Sequence, residues 1–147
     1  MIASVHLAAG SATALFVTSY SPLLVSNKSK VALALVAGIA SHVILDTFPH
    51  QEYMERWPWL LVIAETIAIL MFVLSAQYSI TRNSVLFIGM AGAAIPDLFH
   101  ISRGHLFRSL DVLHFFHGSL PSAFWMSMFW QSVITCLAII YIKIKSA

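Results

Sequence analysis

The chain has 147 residues, of which 59% are hydrophobic and only 10% charged, with a formal net charge of +2. A soluble domain of this size carries about 25% charged residues, so composition argues against a water-soluble globule and for a single membrane domain. The weak positive charge, without any basic run, argues against a nucleic-acid partner, and a lone cysteine, Cys136, excludes an internal disulfide.

A membrane-spanning helix needs about 20 mostly apolar residues, and five segments qualify. The first covers roughly 2–24; "MIASVHLAAG" lacks the basic start of a signal peptide, so this segment is expected to be retained. The second covers roughly 30–46, ahead of Pro49. The third covers roughly 57–78, and the fourth roughly 84–99, short and expected to break near Pro96. The segment 101–118 is too polar to span; Leu106, Phe107, Leu110, Leu113 and Phe116 fit a short helix lying at the interface. The fifth span covers roughly 121–142. The expected fold is all-α, an integral membrane bundle of about five transmembrane helices plus that interfacial helix. Small residues around Gly38 and Gly89–Ala93 would let helices two and four approach closely.

Five spans put the N-terminus and the loops 47–56 and 101–118 on one side. The other side holds Lys28, Lys30, Arg82, Lys143 and Lys145, against Arg56, Arg103 and Arg108 on the first. The positive-inside rule then places the N-terminus outside and the C-terminus in the cytoplasm.

The histidines are one-sided. His6, His42, His50, His100, His105, His114 and His117, all seven in the chain, fall at the N-terminal side, with Asp46 and Asp97 among them. Four residues separate His42 from Asp46, which stacks them on one helical face; three separate Asp97 from His100 and His114 from His117. A carboxylate inside a span costs about 2.5–3.5 kcal/mol on insertion scales, and a divalent cation offsets that cost for several residues at once. Imidazole with carboxylate suits Zn²⁺ first, and Mn²⁺ or Fe²⁺ as alternatives. His6, His42, Asp46, Asp97, His114 and His117 are the candidate ligands. Each has a plainer reading alone: a solvated interfacial histidine, a helix-end cap at Asp97, an aromatic belt in "LHFFHG". Those readings do not account for the one-sidedness. His50 and His105 fit surface loop.

Glu65, inside the third span, could be a ligand, a partner orienting a ligating imidazole, or a protonated helix–helix hydrogen bond. His100 or Glu65 would serve as general base. Arg103 and Arg108 could bind a substrate phosphate or anchor to lipid headgroups.

These motifs resemble those of the membrane-bound metal-dependent hydrolases, small inner-membrane proteins also described as LexA-binding. "SHVILDTFPHQEYMERWPW" is similar to that family's "SHxxLDxxxPxG…WP"; "VHLAAG" resembles its early "THxxxG"; "AIPDLFH" matches half of its "LPDxD"; "LHFFHGS" echoes its "HRGxTHS". The motif order is rearranged, with "SHxxLD" before "PD". The resemblance implies hydrolysis of a phosphoester or ester at a lipid surface. The expected function is therefore a multi-pass inner-membrane hydrolase that acts on a lipid phosphoester through a metal-bound water. The alternatives are a metal-ion transporter or sensor, and a scaffold with a structural metal. A haem carrier is disfavoured by the carboxylates among the histidines.

Overall fold

The computed structural model describes residues 3–21, 26–48, 58–75, 80–101 and 124–146. They form five helices: α1 (Ala3–Tyr20), α2 (Asn27–Asp46), α3 (Pro58–Ser75), α4 (Ile80–Ile101) and α5 (Phe124–Ser146), with no strand among the described residues. The protein is all-α, as composition implies. The expected interfacial helix lies outside the described residues apart from Ile101.

Several expected boundaries move by about a turn, with α4 beginning at Ile80 rather than 84 and α5 running to Ser146 rather than 142. Helix α2 begins a turn earlier than residue 30, because Ser26 caps it: its hydroxyl accepts the Ser29 N–H at 3.1 Å. Such a cap stabilises a helix by about 1 kcal/mol. The expected break near Pro96 does not occur; α4 runs through it to Ile101. Proline removes a helix-interior N–H, at a cost of about 3 kcal/mol. Pro96 is fully buried, however, and tertiary packing supplies most helical stability.

Helices α1, α2 and α4 form a tight kernel. Residues 38, 42 and 46 of α2 rise beside 89, 93 and 97 of α4, while α1 runs opposite from 10 to 6. Glycines meet at the crossing. A Cβ on Gly10 would lie 2.5 Å from Ala93 Cβ and 2.6 Å from the Gly89 carbonyl oxygen, and one on Gly38 would strike that same oxygen. A Cβ on Gly92 would lie 2.5 Å from the Leu35 oxygen. Backbone atoms cannot rotate aside, so only glycine permits this approach. Beside the crossing, the Ser11 hydroxyl donates to the Leu86 carbonyl at 3.1 Å.

Helices α3 and α5 flank the kernel. Ile69 and Val73 of α3 and Ala138 and Ile142 of α5 join Leu7, Leu15 and Leu86 in the main apolar cluster. Their outer faces are also apolar: Leu60, Ile63, Ile67, Met71 and Leu74 on α3 are each more than half exposed, as are Leu137, Ile140 and Ile144 on α5. Polar side chains lie inside instead, with His6, Ser11, Ser41, His42, Asp46 and Gln131 all buried. By length and composition, α2 is able to cross a membrane.

The two ends of the bundle differ. At one, Lys145 Nζ donates to the Tyr20 hydroxyl at 3.4 Å, and Arg82 donates to the Lys145 carbonyl at 3.2 Å. At the other, His6 and His42 meet.

Candidate metal centre

One helical turn beyond the glycine crossing, α1 presents His6, α2 presents His42 and α4 presents the Ala93 carbonyl. A further turn brings Asp46 and Asp97. The i, i+4 spacing stacks His42 under Asp46, and the antiparallel run of α1 carries His6 to the same level. The imidazoles of His6 and His42 stack with centroids 4.0 Å apart and planes 24° apart. Asp46 offers one oxygen to each: Oδ1 is 3.4 Å from His6 Nε2, and Oδ2 is 3.1 Å from His42 Nε2. His6, His42 and Asp46 are 2%, 0% and 3% exposed.

These three residues could hold a metal ion, with donor atoms all within 4.8 Å of one another. The two short separations run to different oxygens of Asp46, 3.4 Å from Oδ1 to His6 and 3.1 Å from Oδ2 to His42, so each imidazole faces its own carboxylate oxygen. The tautomer of His42 points the same way. Its Nδ1 lies 2.7 Å from the Ala93 carbonyl oxygen. A carbonyl only accepts, so Nδ1 carries the proton. In the neutral ring, Nε2 then directs a lone pair toward Asp46. A lone pair facing a carboxylate is repulsive unless a cation stands between them or a proton sits on the ring or on the carboxyl. An N–H bonded to a backbone carbonyl is also the usual partner of a metal-binding imidazole. The other ring atom at this level, His6 Nδ1, is buried with no hydrogen-bond partner among the described residues.

Asp97 stands at the edge. Its Oδ1 is 3.8 Å from His42 Nε2, and its side chain is 42% exposed. It is close enough to join the group or to border its open side. Glu65 sits apart from the donor set: its Oε2 accepts the Ser4 N–H at 3.0 Å. That bond brings a carboxylate of α3 to the positive end of α1, where negative charge is favoured. The contact is a helix–helix hydrogen bond in which Glu65 is the acceptor, so it does not call for the proton that the third sequence reading placed on Glu65.

His100 is carried by the last turn of α4, its side chain outside the described residues. His114, His117, Arg103 and Arg108, together with His50 and His105, also lie outside them. Two participants had no signal in the sequence. The Ala93 carbonyl is a backbone group that no motif marks, and the Ser4 amide is another. Only the run of small residues around Gly89 hinted that α4 backbone would come close to α2. No family model, curated protein or solved structure matches the chain.

Proposed function

We propose that this protein is a multi-pass membrane protein that binds a divalent cation, Zn²⁺ first, at one end of its bundle and uses it to hydrolyse a lipid phosphoester. The observation that carries this reading is the convergence of His6, His42 and Asp46. Three protein donors leave a tetrahedral ion one position for water or substrate, as catalytic zinc sites do. A bound ion would supply Lewis acidity toward the phosphoester and acidify a water. The chain's own part is positional. His6 and His42 supply ring nitrogens, Asp46 supplies charge, and Asp97, 42% exposed and 3.8 Å from His42 Nε2, is the carboxylate an incoming headgroup would meet first. Leu98, next to Asp97 in the chain, is exposed, which suits an amphiphile.

The membrane assignment is supported by the inside-out distribution of side chains. A soluble protein rarely exposes apolar patches of this extent; in a bilayer, apolar faces turned outward are the stable arrangement. The Lys/Arg bias favours an extracytoplasmic site with the C-terminus in the cytoplasm of the inner membrane. His100 remains the candidate base. His114 and His117 remain candidate ligands, and Arg103 and Arg108 candidate phosphate contacts.

Protein purified in detergent and reloaded with Zn²⁺ or Mn²⁺ should release headgroup or phosphate from a phospholipid or prenyl phosphate. Chelation should abolish turnover and leave the helices intact. The burial of all three donors favours one other reading, a scaffold with a structural metal. No turnover across a broad phosphoester panel, with chelation collapsing the fold, would establish that reading instead.

A further inference from the structure

We infer that the glycine crossing between α2 and α4 is the device that orients His42, by pressing the Ala93 carbonyl against its ring; the metal reading above is assumed in one arm only. An α-helix presents few polar groups sideways, since its carbonyls point along the axis to the next turn. A backbone oxygen reaches a neighbouring imidazole only where the two helices almost touch. Here they do. The Cβ that Gly92 lacks would lie 2.5 Å from the Leu35 oxygen, 3.3 Å from Gly38 Cα and 3.3 Å from the Ile39 nitrogen. Every one of those atoms is α2 backbone, so an added methyl must push α2 away. Gly38 meets α4 in the same manner, against the Gly89 oxygen and with the Ala93 nitrogen 3.0 Å from its absent Cβ. His42 stands one turn beyond Gly38, and Ala93 one turn beyond Gly89. The 2.7 Å bond between them is thus set by an interhelical distance that the glycines define.

The consequence is a fixed tautomer. With Nδ1–H committed to Ala93, the neutral ring must aim its Nε2 lone pair at the space it shares with Asp46 Oδ2, 3.1 Å away. Ala93 contributes through its backbone, so no substitution at Ala93 deletes the acceptor. The spacing glycine is the positioning residue that mutation can reach.

Two measurements test this. In the unmodified, metal-free protein labelled with ¹⁵N-histidine, at a pH where the ring is neutral, the His42 signals should show a protonated Nδ1 and a bare Nε2. Their assignment comes from their loss in His42→Gln. A protonated Nε2, or rapid averaging between tautomers, overturns the inference without any variant having to fold. Next, Gly92→Ala should release the fixed tautomer and weaken Zn²⁺ binding by about 10–100-fold, with helical content kept. Ser11→Ala, which removes a bond in the α1–α4 interface, should change neither. Unchanged tautomer and affinity in Gly92→Ala overturn the glycine's role. A fixed Nδ1–H tautomer in a protein that binds no Zn²⁺ supports the orientation and defeats the metal reading alone.

Discussion

The kernel of α1, α2 and α4 and the flanking pair α3 and α5 are built on opposite plans. In the kernel, glycine and alanine bring backbones into contact, and polar side chains are enclosed. In the flanks, large aliphatic side chains dominate and their outer faces stay exposed. Without much hydrophobic drive between helices in lipid, association depends on close packing and interhelical hydrogen bonds. The kernel has both. The comparison teaches that the candidate donors of this chain sit where the backbones are closest. Small residues hold the donors at fixed separations, and the flanks cover them.

The largest expected effect falls on metal retention in the kernel. Asp46→Ala and His42→Ala are each expected to lose bound metal altogether, whereas His105→Ala keeps it; elemental analysis of the purified variants reads this directly. Full occupancy in both of the first two would remove the triad as the site. Stability should divide the same regions next. Gly89→Val forces bulk against Ala14 and the Gly10 backbone, and overpacking of this kind costs about 1–3 kcal/mol. On exposed Ala68 of α3, Ala68→Val should stay within about 0.5 kcal/mol. Thermal unfolding in one detergent compares them, and equal losses would dissolve the distinction between kernel and flank.

The Ser4–Glu65 bond crosses between kernel and flank at the donor end of the bundle, as the Lys145–Tyr20 bond does at the other end. Glu65→Ala should cost about 1–2 kcal/mol by freeing the Ser4 amide and weaken metal retention a few-fold through His6. Glu65→Gln keeps an acceptor and should recover most of both. A glutamine variant as impaired as alanine would mean that the charge itself is needed. The smallest effect belongs to Ser26→Ala. Losing that cap should cost about 0.5–1 kcal/mol and leave metal binding untouched, because the cap lies at the far end of α2.

Much of this was legible in the sequence, for identifiable reasons. Hydropathy marked five helices because long apolar runs dominate the chain. The four-residue step from His42 to Asp46 survives in the structure because it is local geometry within one helix. The meeting of His6 with His42 could be anticipated only as two residues at the same end of a bundle. Their stacking depends on how closely α1 and α2 approach. Helix α4 ran on past Pro96 against expectation, because a local rule about proline carries no knowledge of the packing around it. The Ala93 carbonyl was invisible, since every residue has one and only tertiary structure decides which is used.

The bond from His42 to Ala93 joins residues 51 apart, and that interval has a meaning in time. His6, His42 and Asp46 all belong to the first two helices, so a growing chain owns these three donors as soon as α2 has emerged. Their alignment arrives only with α4. If the triad binds an ion as proposed, a nascent hairpin would hold it loosely, and the later helix would turn a weak encounter into retention. Ion capture in this protein would then be a late event of synthesis, with arrested chains of increasing length gaining tight binding only once α4 is out.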